Sequence, residues 1–227
     1  MTSLANSIDP SPHDKRVAFT LIELLCVITV IGILAAIILP AISGIREKAN
    51  NSKCQGNLRQ LQSASALYAS DHGHFLPSIT NNVSSNGTID RVNWYENPEV
   101  LEYMGDQPPL KCPTNAASRD FHGKATSGFS YGINITNVPG GWSDPGDRAA
   151  RMVEVINPST TMAFADAVDW QILMYAASNY KDESYIAHSI AYRHSGNANI
   201  AFYDGSIASK PKSEVVRNPK LWNIVQQ

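Results

Sequence analysis

The sequence predicts an α+β protein in which a long N-terminal α-helix packs, through its second half, on a C-terminal antiparallel β-sheet with long loops. Three observations predict this fold. An apolar stretch begins near residue 18, and its helical pattern continues to about residue 70. After Gly73, prolines and glycines divide the chain into short segments, which is typical of strands and loops. Near the C-terminus, an Asp-Gly pair separates two strand-like segments, as in a β-hairpin.

The first half of the helix is apolar enough to cross a membrane. Between Arg16 and Arg46, the only side chain with a full charge at neutral pH is Glu23, and about 20 apolar residues suffice to span a bilayer. A secretory signal peptide has a shorter apolar core, which ends in small residues at a cleavage site. A plain anchor leaves Glu23 without a role, although a carboxylate inside a membrane costs about 2.5–3.5 kcal/mol. The pattern therefore predicts a transmembrane helix with a functional carboxylate.

The second half of the helix is amphipathic. Small or apolar residues recur at spacings of three, four and seven, namely Cys54, Leu58, Leu61, Ala64, Ser65 and Tyr68. This stripe predicts one helix from about Thr20 to Ser70, which Asp71, His72 and Gly73 bring to an end. Since a bilayer needs only about 20 residues, the second half must pack on the rest of the chain.

The clearest strand signal lies near the C-terminus. Residues 197–203 place Ala198, Ile200 and Phe202 on one face, and Asp204-Gly205 then supplies a tight turn. Residues 206–209 return as the second strand. We expect this hairpin to cover the long helix as part of the sheet.

Two further elements are expected upstream. Asn97 followed by Pro98 is a pair that commonly opens a helix, so a short helix is expected after it. Residues 160–165 form an apolar run that predicts a buried strand ending at Asp166.

A motif at the start of the helix resembles the cleavage and methylation site of type IV prepilins and type II secretion pseudopilins: Ala18-Phe19-Thr20-Leu21-Ile22-Glu23-Leu24-Leu25. The resemblance implies that a prepilin peptidase and N-methyltransferase cuts between Ala18 and Phe19, where the family usually has Gly before the cut. It also implies a pilin-like fold, no enzymatic activity, and filament assembly in which Glu23 pairs with the new amine of a neighbouring subunit. Pairing of these charges in a low-dielectric surrounding would set the axial register of the subunits.

This resemblance divides the chain into three parts. Residues 1–18 are the expected cytoplasmic leader, residues 19–44 the transmembrane and assembly helix, and residues 45–227 the periplasmic or cell-surface head, which includes the second half of the helix. Lys15 and Arg16 should stay on the cytoplasmic side of the inner membrane. The expected partners are the prepilin peptidase, copies of the chain, other pilin-like subunits and inner-membrane lipid.

A second resemblance covers the head. Nine residues separate His194 from the pair Asp204-Gly205, as in a large pilin-like group found in Planctomycetes and related bacteria. Other segments also fit that group in sequence order, namely Leu110–Pro113, Ser130–Asn134 and Asn157–Thr160. We interpret His194, Asp204 and Gly205 as a structural signature, in which His194 ties a loop to the hairpin. An acid–base role for His194 and Asp204 is the alternative.

The three cysteines lie in two different parts of the chain, one in the apolar run and two in the head. Cys26 lies in the apolar run and acts there as a small hydrophobic residue. Cys54 and Cys112 are left, and outside the cytoplasm they can form a disulfide. Two unpaired thiols are the alternative.

Composition and motifs argue against several other functions. The net charge is −2, and basic residues are scattered, so nucleic acid is not an expected partner. The sequence contains no phosphate-binding glycine loop, no nucleophile elbow and no closely spaced cysteine pair typical of zinc. Pseudopilins often hold calcium in a head loop, so calcium is a candidate ligand. However, no contiguous calcium loop is present, and no cofactor is expected.

Two functions remain. The first is a structural subunit, a pseudopilin or minor pilin of a type II secretion or type IV pilus-like filament. The second is a membrane-tethered protein whose head binds a surface ligand or cargo without extensive polymerisation.

Overall fold

The fold is described from a computed structural model for residues 20–83, 89–106, 108–114, 130–138, 149–184 and 186–224. The chain divides into two compact units, Met1–Ile45 and Arg46–Gln227, the second of which is called the head. The expected leader, with Ala18 and Phe19, lies outside the described residues.

Helix α1 spans Leu21–His72 and therefore belongs to both units. It ends as the sequence predicts. Gly73 adopts the left-handed conformation, with φ of 76°, and its N–H donates to the carbonyl of Ala69 at 2.8 Å. This is a common way for a glycine to close a helix, because it has no Cβ to clash.

The head contains two further α-helices and seven strands among the described residues. In chain order they are β1 (Ile79–Val83), β2 (Ile89–Asn93), α2 (Pro98–Met104), β3 (Tyr131–Asn134), β4 (Met162–Asp166), β5 (Gln171–Ile172), β6 (Asn197–Phe202), β7 (Ile207–Pro211) and α3 (Lys212–Arg217). Strands β1 and β2 form an antiparallel pair. The other five form one sheet in the order β5-β3-β4-β6-β7.

The five-stranded sheet is mixed. The pairs β3/β4, β4/β6 and β6/β7 are antiparallel, as the sequence predicts, whereas β5 lies parallel to β3 at one edge. The cause is a chain reversal at residues 167–170. Since β4 runs antiparallel to β3, the chain that turns back from β4 must run in the direction of β3 when it reaches the other edge of that strand.

One face of the sheet packs on the second half of α1, and the predicted stripe forms this contact. All six stripe residues are buried, and Leu58, Leu61 and Tyr68 share a core cluster with Phe164 and Ala201 of the sheet. Polar contacts fix the register of the helix. Gln62 Nε2 donates to the carbonyl of Tyr203 at 3.0 Å. The burial of the apolar stripe provides the driving force for packing the helix on the sheet.

The opposite face of the sheet carries a second core, which was not predicted from the sequence. Ala198, Ile200 and Phe202 do not face α1; they pack in a separate cluster with Val215 of α3 and Trp222. The hairpin does cover the long helix, as predicted, but it does so through its other face. Side chains alternate along a strand, and the α1 side of β6 carries Asn199 and Ala201, of which Asn199 is hydrogen-bonded to Gln55 and Asn51 of α1.

The short elements follow their sequence signals. The Asn97 side chain accepts a hydrogen bond from the N–H of Glu99 at 3.0 Å and so caps α2, with Pro98 as its first residue. At the β6–β7 turn, Asp204 Oδ1 accepts from the N–H of Ser206 at 2.9 Å. Gly205 supplies the positive φ of 88° that this turn requires.

Candidate functional site

The first half of α1 exposes apolar side chains on all sides. Every leucine, isoleucine and valine from Leu21 to Ile45 is about half exposed or more, from 49 % for Val27 to 84 % for Leu21. By length and composition this helix can cross a membrane. Water does not stabilise such a surface, so lipid or other apolar helices must cover it.

Glu23 lies in the first turn of this helix, where it forms a capping box with Thr20. Glu23 Oε2 accepts hydrogen bonds from the backbone N–H and the hydroxyl of Thr20, at 2.9 and 2.8 Å. In return, the N–H of Glu23 donates to Thr20 Oγ1 at 3.3 Å. The reciprocal bonds satisfy backbone donors that a helix start leaves unpaired.

The capping box gives Glu23 a local role that was not predicted from the sequence. The signal was present as Thr-x-x-Glu directly before an apolar run. The predicted partner of Glu23, the amine of Phe19, belongs to residues outside the described range. What the structure shows is a carboxylate held at the positive end of the helix dipole, where negative charge is stabilised.

A second polar site lies inside the head. It consists of Cys54, Cys112, Asp166, Arg193 and His194, and we call it the buried polar centre. The carboxylate of Asp166 is fully buried at the end of β4. Its Oδ2 accepts from the N–H of Asn199 at 2.7 Å and lies 3.2 Å from His194 Nε2. A carboxylate at the end of a buried apolar strand needs such partners. The apolar run that ends at Asp166 was therefore the signal in the sequence for a buried polar site.

Arg193 lies beside this carboxylate, although its strongest contacts are elsewhere. Its Nη1 is 3.8 Å from Asp166 Oδ1, and its Nε and Nη2 donate to both oxygens of Glu183, at 3.0 and 2.9 Å. The side chain is only 3 % exposed. Burial acts to lower the pKa of Arg193, but Asp166 and Glu183 outweigh it and raise the pKa above its ordinary value.

His194 reaches Asp166 because a tight turn follows it. Ser195 and Gly196 both have positive φ, 51° and 82°, and the backbones of His194 and Asn197 exchange hydrogen bonds across the turn. The ring of His194 therefore contacts Asp166 of β4, which lies outside the hairpin, and the same carboxylate accepts from Asn199 of β6.

The geometry argues against an acid–base triad. In such a triad one ring nitrogen of histidine faces the acid and the other faces the nucleophile. Here His194 Nε2 faces both Asp166 Oδ2 and Cys112 Sγ, the latter at 3.7 Å. The residue is also only 4 % exposed, which leaves a substrate no access to it in this conformation.

The buried polar centre includes a disulfide between Cys54 of α1 and Cys112, which follows α2. Their Cα atoms are 5.1 Å apart, within the normal range for a bridge. Cys26 is a free thiol on the apolar helix. Nearby, the Asn57 amide donates to the Tyr131 hydroxyl at 3.1 Å. Burial of the hydroxyl raises the pKa of Tyr131, and the negative charge of Asp166 raises it further.

The acidic residues that the sequence places in head loops, where a calcium ion could bind, are Asp144, Asp147, Asp166 and Asp169. The two that the structure describes have other partners. Asp169 is buried, and its carboxylate accepts from the N–H groups of Trp170 and His188, both at 2.7 Å. Asp166 belongs to the buried polar centre. The remaining candidates, Asp144 and Asp147, lie outside the described residues.

Curated proteins named type II secretion system core protein G are similar to this chain. The one from Escherichia coli K12 is 31 % identical over 94 residues, which cover 35 % of this chain and 65 % of the relative. The one from Vibrio cholerae is 34 % identical over 107 residues, 47 % of this chain and 69 % of the relative. The one from Pectobacterium carotovorum is 30 % identical over 149 residues, 63 % of this chain and 90 % of the relative. The chain belongs to the type II secretion system core protein G family.

The fold agrees with this membership of the type II secretion system core protein G family. The pilin-like α+β architecture expected from the sequence is present, with a long apolar N-terminal helix and a C-terminal mixed sheet. No family model matches the chain, and no solved structure matches it.

Proposed function

We propose that the chain is a structural subunit of a type II secretion pseudopilus. In this proposal, prepilin peptidase cuts between Ala18 and Phe19, and the apolar half of α1 anchors the subunit in the inner membrane before assembly. The N-terminus faces the cytoplasm and the head faces the periplasm. The names of the curated relatives and the exposed apolar helix support this role.

One observation carries the proposal: a single carboxylate sits in the first turn of a helix whose apolar side chains are exposed all round. From Leu21 to Ile45, Glu23 is the only acidic or basic residue. A charge in apolar surroundings requires an opposite charge nearby. The free amine of a processed neighbouring subunit can supply that charge, so copies of the chain and other pilin-like subunits are the proposed partners.

The capping box refines how this pairing works. Before assembly, Thr20 satisfies the Glu23 carboxylate within one subunit. On assembly, the carboxylate exchanges or shares these hydrogen bonds with a neighbour's amine. Glu23 thus has a capping function, which needs only an acceptor oxygen, and an assembly function, which needs the negative charge.

Two substitutions separate these functions. Glu23→Gln keeps an acceptor oxygen for the capping box but removes the charge, whereas Thr20→Ala removes the cap and keeps the charge. In cells that assemble the filament, we expect Glu23→Gln to enter the membrane normally and to fall at least about tenfold in the sheared filament fraction, since each tenfold corresponds to about 1.4 kcal/mol of lost pairing. Thr20→Ala should still assemble.

Immunoblots of membrane and filament fractions measure the outcome, and mass spectrometry of the mature N-terminus checks processing. An N-methylated Phe19 in both variants shows that neither defect arises at the peptidase. Normal incorporation of Glu23→Gln would contradict the charge-pairing role. If the wild-type chain is processed but never enters filaments, the membrane-tethered binding protein becomes the better description.

A further inference from the structure

We propose that the buried polar centre is a redox-controlled zinc site, which is open when Cys54 and Cys112 are reduced and closed when they form their disulfide. The proposed ligands are the two cysteine thiolates, His194 Nε2 and Asp166 Oδ2. The two sulfur atoms and Nε2 all lie within 4.8 Å of one another in the disulfide form. Two thiolates, an imidazole and a carboxylate are ligands that Zn²⁺ accepts in tetrahedral sites.

Two of the distances between the candidate ligands fit a zinc tetrahedron. Zinc bonds of about 2.3 Å to sulfur and about 2.0–2.1 Å to nitrogen or oxygen place a tetrahedral S···N pair about 3.5 Å apart and an N···O pair about 3.3 Å apart. The Cys112 Sγ···His194 Nε2 distance is 3.7 Å, and the His194 Nε2···Asp166 Oδ2 distance is 3.2 Å. Two edges of the tetrahedron therefore exist already. Since Asp166 is not among the residues whose ligand atoms all lie within 4.8 Å of one another, reduction must let the two sulfur atoms separate and the carboxylate move toward them.

The polar atoms of the centre also lack enough partners in the disulfide form. Among the described residues, Asp166 Oδ1 and His194 Nδ1 are buried without a hydrogen-bond partner. The side chains of both residues are at least 98 % buried. These two atoms are not the proposed ligand atoms, but buried polar atoms without partners are costly, and they show that the polar groups of the centre are not fully paired in the disulfide form. Rotation of the carboxylate toward a metal would bring Oδ2 into the fourth ligand position and turn Oδ1 toward Arg193.

The thiolates compensate the charge of bound zinc. Two thiolates neutralise Zn²⁺, and the carboxylate of Asp166 lies 3.8 Å from the guanidinium of Arg193, which it shares with Glu183. Such neutralisation matters because all four ligands are buried, where an unpaired charge is strongly unfavourable.

The redox step is a thiol–disulfide exchange with a small disulfide as the oxidant. The two zinc-bound thiolates give up two electrons and form the Cys54–Cys112 bond, and Zn²⁺ leaves. The small disulfide takes up these electrons with two protons and becomes two thiols. A dithiol or phosphine reductant reverses the step, after which the thiolates are again available to metal.

The test compares the two redox forms of the full-length chain in detergent, with Cys26→Ala as the background so that only two thiols are present. Each form is incubated with Zn²⁺, desalted and analysed for bound metal. We expect about one Zn²⁺ per reduced chain and none on the disulfide form. Co²⁺ as a spectroscopic probe should give the thiolate charge-transfer and tetrahedral bands in the reduced form alone. A reduced chain that binds no metal in this assay overturns the proposal.

The ligand set is tested by two variants and one control. His194→Gln and Asp166→Asn should each weaken zinc binding to the reduced chain by at least about tenfold, and His194→Gln should change the Co²⁺ spectrum. His188→Gln serves as the matched control, because His188 contacts Asp169 instead of the centre. Circular dichroism of each variant in the disulfide form verifies that the head is folded. Equal zinc affinity in wild type and His194→Gln means that the thiols bind zinc without this site, and it contradicts the proposal.

Discussion

Arg193 joins segments of the head that are far apart in the sequence. Its Nη1 donates to the carbonyl of Ser130, just before β3, at 2.9 Å, and its Nη2 donates to the carbonyl of Ala167, just after β4, at 2.8 Å. The same guanidinium binds Glu183 through two hydrogen bonds. The planar fork of arginine suits such a site, because a lysine ammonium cannot reach several acceptors in different directions at once.

We therefore expect Arg193→Met to lower the free energy of unfolding by about 3–5 kcal/mol, the usual cost of removing one partner from a buried ion pair. The change leaves Asp166 buried without its nearest cation and removes a donor from two carbonyls. Chemical denaturation followed by tryptophan fluorescence measures the loss.

The matched control is Arg217→Met, at the exposed C-terminal end of α3. This arginine interacts with the helix dipole at the surface, so the variant should lose no more than about 1 kcal/mol. Equal stabilities for the two variants would show that the contacts of Arg193 do not contribute to the stability of the head.

At the level of elements, the end of α1 is joined to the start of α2 through His72. Its Nδ1 lies 3.0 Å from the carbonyl of Tyr68, and its Nε2 lies 3.0 Å from Glu99 Oε1. Both are acceptors, so both contacts are hydrogen bonds only when the ring carries two N–H groups, that is, when it is protonated. The Tyr68 carbonyl and then Glu99 and Asp71 accordingly raise the pKa of His72, although partial burial opposes them.

This arrangement predicts a stability that depends on pH. Because the pKa of His72 is higher in the folded state, its contribution is fully present below about pH 6.5, the ordinary value in the unfolded chain, and is lost as the pH rises through the folded-state pKa. Thermal unfolding between about pH 5.5 and about pH 8.5 should show this decrease in the wild type and not in His72→Gln.

His74→Gln is the matched control, since His74 Nδ1 lies 3.0 Å from the carbonyl of Phe75 and the residue is not part of the Glu99 pair. It should keep the pH dependence of the wild type. Glu99→Gln should reduce the dependence, because the acceptor oxygen remains but its charge is lost. An unchanged pH profile in His72→Gln would rule out this coupling between α1 and α2.

Elements with local signals could be predicted from the sequence. The stripe from Cys54 to Tyr68, the Asn97 cap and the turn at Asp204-Gly205 each depend on residues a few positions apart. The second core on the far face of the sheet could not be predicted in this way. It depends on Trp222, which packs against β6 from a distant part of the chain, and the apolar face of a strand does not reveal which element covers it.

The two candidate sites differ in the same way: one has a local signal in the sequence and the other does not. Glu23 stands out in the sequence because it is a charge in an apolar stretch, and its capping partner is only three residues away. The buried polar centre assembles residues from α1, β4 and two loops. No spacing in the sequence shows that Asp166 and His194 meet the cysteine pair, because only the packing of the sheet on α1 brings them together.

At the level of the whole molecule, the chain separates a unit whose apolar surface is exposed from a head that buries its own core. The head must therefore be stable without help from the membrane. The Cys54–Cys112 bridge contributes to this stability by linking α1 to the segment after α2 across a sequence separation of 58 residues. Closing a loop of this length restricts the unfolded chain and stabilises the folded one by about 4 kcal/mol in the chain-entropy model.

Cys54→Ala/Cys112→Ala should accordingly lower the free energy of unfolding of the head by about 2–5 kcal/mol. Trp94 lies in the core that faces α1, and Trp222 lies in the core on the far face, so the fluorescence of single-tryptophan variants reports on each core separately. If the head unfolds cooperatively, both probes shift to the same lower denaturant midpoint, since the two cores share the strands of one sheet.

Cys26→Ala controls for the loss of a thiol, because Cys26 lies on the apolar helix outside the head, and it should leave both midpoints unchanged. A shift at Trp94 alone would mean that the disulfide holds α1 against the sheet while the far core folds independently.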